Sequence, residues 1–453
     1  MSIRMRGRGF VLNKVKKLKI DGEVFDTLLV GGATLFGSVF SYLLQFVLGR
    51  KLPVEDYGTF NALLSLSSII GVFSAVFGTA LIKIVAEMYA KKENDKVKYF
   101  FTKVLKLSVL ACFLIFLIIF FLRGRISDSL NIGDTLLVAF FGFSVGLGFC
   151  LVIPSSYLQG MQKFKKYSIF HVITMINRFA LPAILVFLGF GLRGVYFAFP
   201  LASLISFVIG MFMLELSLKK VEKSDVAEYG KKLLSLGASV VLVNLCMMAL
   251  NNIDIVLVKK YFPPVDAGYY AGVVTLGKIL LFGAGAVTVV MFPKISALNA
   301  NGKDFMKSLK KLLGILLVVL IVGVFCYQVF PTLITHLFFG KAFENSIKYL
   351  PLFSIFVAIY VLINFLVMFS LAIDKKNVGF LLLPGVLMQF ILLNFFHETL
   401  WDIIRVNIGV SLFTLLVLIS GLSPRRAQPG TGSARDGLSP EYEKNSFGNN
   451  TRL

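Results

Sequence analysis

Residues 312–330 read LLGILLVVLIVGVFCYQVF, nineteen positions without a charge. At 1.5 Å per residue a run of that length covers the hydrocarbon core of a bilayer. Lipid offers no water to the backbone N–H and C=O groups, so such a run must satisfy them internally, as a helix. Eleven further blocks of the same character lie on either side of it. Together they predict spans at about 25–48, 58–82, 105–122, 134–157, 171–190, 195–217, 233–257, 268–292, 312–330, 347–372, 378–396 and 403–421. The ten-residue alternation of a membrane barrel is missing. The chain is therefore read as an all-α integral membrane protein of about twelve transmembrane helices with short connections.

Composition agrees: of 453 residues 57% are hydrophobic and only 15% charged, with a mean hydropathy of +0.83, where a soluble domain carries roughly a quarter charged residues. The net charge of +22 does not point to nucleic acid. The basic residues are spread over the segments between apolar blocks rather than gathered on one arm or face. Alternate connections hold 34 of the 46 Lys and Arg residues, and the opposite set holds 8. By the positive-inside rule the rich set is cytoplasmic, and an even number of spans puts both termini there, in the cell membrane. Residues 1–24 are read as a basic cytoplasmic N-terminus; the apolar block that follows is too long for the core of a cleavable signal. The tail 423–453, rich in Ser, Pro, Gly and Asn, is expected to be disordered.

Cys112, Cys150, Cys246 and Cys326 lie inside apolar blocks without paired spacing, and His171, His336 and His397 are far apart. These patterns call for no disulfide framework, metal or cofactor.

An internal repeat organises the spans. LPVEDYGTF at 52–60 matches FPPVDAGYY at 262–270, pairing Pro53 with Pro263, Asp56 with Asp266, Gly58 with Gly268 and Phe60 with Tyr270. Each copy is the turn between the first and second span of a six-span half. Six is even, so both halves run in the same direction. The expected units are an N-lobe over 25–225 and a C-lobe over 226–422.

Polar residues inside spans face a partner helix or water. Thr34, Ser38, Ser41 and Gln45 form a stripe on the first span, and Asn61, Ser65, Ser68 and Thr79 one on the second. Asn244 and Asn251 share a face of the seventh, beside Asn252 and Asp254, and Thr275, Lys278, Gly285 and Thr288 lie near one face of the eighth. These are the first two spans of each half, so one polar cavity between the halves accounts for all four stripes. The plainer alternative is that small polar residues let helices pack closely.

Four cations fall within or at the edge of spans. Lys348 and Arg405 are near span ends, within reach of the interface. Arg178 and Lys278 are deeper, where a cation needs water, an anion or a carboxylate. One role is to hold a phosphate or acidic sugar. The other is a structural ion pair, for which Asp254 is the nearest carboxylate to Lys278, at roughly 9 Å in depth along the hairpin. Asp254 with Asn251 is also a candidate for a coupling Na⁺ or H⁺. Glu87 and Lys83 are read as a surface pair at a helix end. Pro154, Pro182, Pro200 and Pro384 interrupt spans and bend them.

The segments GRKLPVEDYGTFNALLSL at 49–66, SSYLQGMQKFKKYSI at 155–169, NNIDIVLVKKYFPPVDAGYYAGVVTLGKI at 251–279 and MFPKISAL at 291–298 resemble signatures of the polysaccharide and oligosaccharide flippase family. That family shares its superfamily with multidrug exporters. The resemblance implies two six-helix lobes forming a V around a central cavity. Arg178 and Lys278 then stand where such flippases often carry cations, and Gln45, Ser41, Asn61 and Asn251 would complete the substrate contacts. The implied substrate is a polyprenyl-diphosphate-linked oligosaccharide, moved from the inner to the outer leaflet by alternating access. Its tail would stay among the membrane lipids, with glycosyltransferases or a polymerase as possible partners. Two rivals are a cation-coupled multidrug exporter of the same superfamily, which needs carboxylates in a lobe, and a membrane-embedded glycan-transfer enzyme. The enzyme reading lacks a long outer loop or acidic cluster to supply acid and base groups.

Overall fold

The computed structural model describes residues 22–215, 224–235, 238–375 and 377–422. The basic N-terminus up to residue 21 and the tail from 423 lie outside them. Among the described residues the chain is all helix and turn, with twelve helices long and apolar enough to cross a membrane.

The first half contains α1 (Gly22–Lys51), α2 (Val54–Ala90), α3 (Asn94–Ser129), α4 (Thr135–Gly160), α5 (Phe164–Phe187) and α6 (Gly191–Leu214). A short helix α7 (Ala227–Ser235) leads into α8 (Ala238–Tyr261), α9 (Pro264–Ala300) and α10 (Met306–Val329). The segment read as a plain connection over 331–346 is folded. It forms α11 (Pro331–Phe339) and a 3-10 stretch, Lys341–Tyr349, before α12 (Leu350–Ala372), α13 (Val378–Phe395) and α14 (Leu400–Leu422).

Local chemistry sets the boundaries. Pro53 and Pro263 take nearly the same extended conformation (φ −54°, ψ 149° and φ −52°, ψ 145°) and open α2 and α9. Glu55, Asp56 and Asp266 in the first turns favour the positive ends of those helices. Asp134 caps α4 by accepting from the Leu136 N–H at 3.0 Å. Several helices outrun their apolar blocks: α2 and α9 have 37 residues each and α3 has 36. Hydropathy locates only the part in hydrocarbon, and polar turns beyond it continue the helix.

The repeat is visible in three dimensions. Helix α9 begins and ends 210 positions after α2, and the left-handed residues that follow, Lys92 (φ 58°) and Gly302 (φ 62°), keep the same offset. Helix pairings correspond too. In the first half α1 packs on α5, α2 on α4, α3 on α4, and α6 on both α4 and α5. In the second half α8 packs on α13, α9 on α12, α10 on α12, and α14 on both α12 and α13.

The two halves meet along α2, which packs on α8 and α9. They come closest beside the Pro53 and Pro263 turns, here called the turn end. A Cβ on Gly58 would stand 2.7 Å from the Gly268 nitrogen, and one on Gly268 would overlap the Val54 carbonyl. Only glycine permits that approach. The other flank is not symmetric. There α11 and the 3-10 segment fill the space beside α1: Phe338 stacks on Phe46 at 4.3 Å, and the buried Phe339 and Phe343 meet the Tyr57 ring at 5.4 and 5.3 Å. Arg50 at the end of α1 donates to the carbonyls of Phe338 (3.1 Å) and Leu337 (2.5 Å), satisfying the last turn of α11.

At the opposite, basic end, Glu87 pairs with Lys91 (3.0 Å) and with Lys232 of α7. Lys83 is not its partner, a correction to the expected pair: i to i+4 runs in both directions, and the tertiary contact from α7 lies on the Lys91 side. Glu215 pairs with Lys166.

Candidate functional site

Arg178, Lys278, Gln45, Asn61 and Ser41 line a single cavity of about 300 Å³ between the halves. It is bounded by α1, α2 and α5 on one side and by α8 and α9 on the other, with α6 contributing Phe199. Aromatic walls set its shape: Phe40 meets Phe179 edge-on at 5.2 Å, Tyr42 meets Phe282 edge-on at 5.2 Å, and Phe60 lies parallel to Phe199 at 6.2 Å. Thr275 and the second-span serines Ser65 and Ser68 complete the polar lining.

The two cations are held differently. Lys278 donates to the Asn252 side-chain oxygen at 2.9 Å. Asn252 in turn donates its amide N–H to the Met248 carbonyl at 2.9 Å, which directs its oxygen toward the ammonium. Arg178 has its guanidinium 5.8 Å from the centre of the Phe199 ring and makes no hydrogen bond or ion pair among the described residues. A guanidinium presents five donors in a fork, so it enters this cavity with its donors free. No Asp or Glu lines the cavity among the described residues.

Asn251 does not line it; its neighbour Asn252 does. Adjacent helical positions differ by about 100° around the axis, so a stripe read one residue off points elsewhere. Asp254 is also turned away and is 1% exposed. One of its oxygens accepts from Tyr270 (2.6 Å) and Asn407 (3.0 Å). The structural pair suggested between Asp254 and Lys278 is not formed: Asn252 takes the ammonium, and Tyr270 and Asn407 take the carboxylate. Gln389 extends this second polar centre, donating to Asn407 (2.9 Å) and to the Leu250 carbonyl (3.1 Å). The other Asp254 oxygen, Oδ1, and Gln389 Oε1 are buried without a hydrogen-bond partner among the described residues. Sequence reasoning passed over Gln389, Asn407 and Tyr270; two uncharged amides inside the last two spans were the available signal.

Several stripe residues stay with their own helices. Thr34, Ser38 and Thr79 bond carbonyls four residues back. For these the plain packing reading suffices.

A family model described as polysaccharide biosynthesis protein matches residues 47–348, about two-thirds of the chain. The chain belongs to that family. No curated protein sequence matches it. Among solved structures, an inward-facing multidrug resistance MATE family transporter of the MOP superfamily superposes with a TM-score of 0.72 at 14% identity, over 85% of this chain and 92% of that one. The lipid II flippase MurJ in an inward closed conformation gives 0.68 at 16% identity, over 87% of each chain. An outward-facing MATE family transporter gives 0.60 at 15% identity, over 87% of this chain and 93% of that one. The fold of this polysaccharide biosynthesis family member is thus that of the MATE and MurJ transporters, with the cavity at the interface of its two halves.

Proposed function

We propose that the chain is a flippase carrying a polyprenyl-diphosphate-linked oligosaccharide from the inner to the outer leaflet for cell-surface polysaccharide synthesis. The observation that carries the proposal is a cavity with two cations and no carboxylate among its described lining residues. In a low-dielectric surround such a cavity favours an anion, and Arg178, with free donors, suits a bidentate grip on phosphate. The volume has room for the diphosphate and the sugar joined to it, with aromatic walls against the pyranose faces and amides for the hydroxyl groups. A drug exporter taking cationic compounds would find the opposite charge here.

The basic end is taken as cytoplasmic from the distribution of Lys and Arg. With the turn end closed by Gly58, Gly268 and the aromatic side chains around Tyr57, the conformation is then inward-facing. The higher superposition score with the inward-facing transporter is in keeping with this. Transport is alternating access: the substrate enters from the basic end, the halves rock, and the turn end parts while the lipid tail stays in the bilayer.

Asp254 is the position proposed to take a coupling Na⁺ or H⁺, supported by its buried unpartnered oxygen beside a polar network that joins α8, α9, α13 and α14. A cation bound there changes how those helices pack and so biases the rocking.

The test is leaflet exchange of a fluorescent polyprenyl-diphosphate oligosaccharide in liposomes. Exchange above empty liposomes, lost in Arg178→Ala and Lys278→Ala proteins that still insert, supports the reading. Wild-type exchange no faster than empty liposomes, beside an active control flippase, refutes it.

A further inference from the structure

Tyr57 is fully buried behind the cavity residues Gln45, Asn61 and Thr275, on the side facing the turn end. Its hydroxyl donates to Gln45 Oε1 at 2.8 Å, within its own half, and also lies 2.9 Å from Thr275 Oγ1 on α9, in the other half. Gln45 donates its amide N–H to Asn61 Oδ1 at 3.3 Å, and Asn61 donates to the Tyr57 carbonyl at 3.1 Å. Thr275 Oγ1 stands 3.4 Å from Asn61 Oδ1. Four side chains from α1, α2 and α9 thus form one closed network across the seam.

Three of the four, Gln45, Asn61 and Thr275, also line the cavity, whereas Tyr57 does not. The groups exposed to substrate are therefore the ones whose mutual bonds hold the halves together at the closed end. The Tyr57 ring meanwhile packs on Phe339 and Phe343, the side chains that seal the flank.

We infer that Tyr57 is the positioning residue that links occupation of the cavity by a glycan to release of the turn end. This rests on the flippase reading. Sugar hydroxyls that bond to Gln45, Asn61 or Thr275 withdraw those groups from the network, so the glycan binds more tightly to the state in which it is broken. A ligand shifts a two-state equilibrium only through such differential affinity. The diphosphate, bound lower down by Arg178 and Lys278, supplies binding energy to both states and does not break the network. A sugar-bearing lipid diphosphate therefore releases the turn end, and a bare one does not.

The test uses the full chain in nanodiscs, with its four native cysteines replaced and spin labels at Ser129→Cys and Val265→Cys. These are exposed positions at the turn end, one in each half. The probes are an undecaprenyl-diphosphate-linked disaccharide and undecaprenyl diphosphate alone. In wild type the disaccharide probe raises the long-distance population and the bare lipid does not. Tyr57→Phe keeps the ring and loses the hydroxyl. It raises that population roughly tenfold relative to the short one without any probe, as loss of one buried hydrogen bond does, and the disaccharide adds nothing further. Thr275→Val behaves likewise, and Thr275→Ser restores the wild-type response. A Tyr57→Phe protein that keeps the full disaccharide response overturns the inference, as does a bare lipid that acts as strongly as the disaccharide. A wild type that flips the disaccharide probe in liposomes yet shows no distance change also overturns it and leaves the flippase standing. A wild type that neither responds nor flips refutes both.

Discussion

Lys278 and Asn252 face each other between α9 and α8, with 2.9 Å between ammonium and amide oxygen. A neutral partner orients the cation without neutralising it. The charge remains available to an anion in the cavity, which a carboxylate at the same place would have quenched. Asn252→Ala should therefore raise KM for a lipid-diphosphate substrate about tenfold with little change in kcat, the signature of a lost binding contact. Asn252→Asp should be worse than the alanine variant, since an ion pair cancels the charge. Initial rates of leaflet exchange against substrate concentration check both.

The crossing of Gly58 over Gly268 leaves no room for a side chain. Gly58→Leu should force the halves apart at the turn end and lower the thermal midpoint in detergent, with a cost of about 1–3 kcal/mol from overpacking against backbone. Gly71→Ala, at a position on α2 with open space around it, should leave the midpoint unchanged. Equal effects from the two variants would refute the proposed close approach.

Asn407 donates to both Asp254 and Tyr270, and it accepts from Gln389. Asn407→Leu should leave a buried carboxylate with one bond fewer and destabilise the protein by about 1–3 kcal/mol. Asp254→Asn should be milder for folding and should abolish any dependence of exchange on a Na⁺ or proton gradient. Fluorescence-detected melting and exchange under imposed gradients separate the two outcomes.

At the basic end Glu93 accepts from Lys96 (2.9 Å) and from the Tyr229 hydroxyl of α7 (2.9 Å), and these bonds hold its carboxyl below the usual carboxylate range. A depressed carboxylate contributes stability that is present above its unfolded value and lost as pH falls through its folded one. Docking of α7 should therefore weaken as the pH falls below the ordinary carboxylate range. Hydrogen exchange over residues 227–235 should rise on acidification, and Glu93→Gln should reduce that dependence, leaving the part due to the Glu87–Lys232 pair.

Twelve spans were legible because each apolar block is long enough to cross a bilayer and few charges interrupt it. Pro53 and Pro263 made the duplication legible, since the same turn chemistry recurs at the same topological place. The cavity cations were legible because Arg and Lys are conspicuous in hydrocarbon. The facing of Asn251 against Asn252 was not, because one step of helix moves a side chain about 100° and hydropathy does not register it. Nor was the folding of 331–349, where Phe339 and Phe343 pack on each other and are covered by Phe46 of α1, Tyr57 of α2 and Tyr269 of α9, all distant in sequence. Gln389 and Asn407 were passed over for a related reason: besides each other, their partners are on α8 and α9, more than a hundred positions away.

The lengths of α2 and α9 carry a mechanical consequence. From the glycine crossing to its far terminus each helix runs 32 residues, or roughly 48 Å at 1.5 Å per residue. Each is a long lever pivoted close to one extremity. A rotation of roughly 10° about the crossing carries the far tip through about 8 Å, enough to admit or exclude a sugar ring. Gating on one face of the membrane then requires only small angular adjustment at the other, where the two backbones touch.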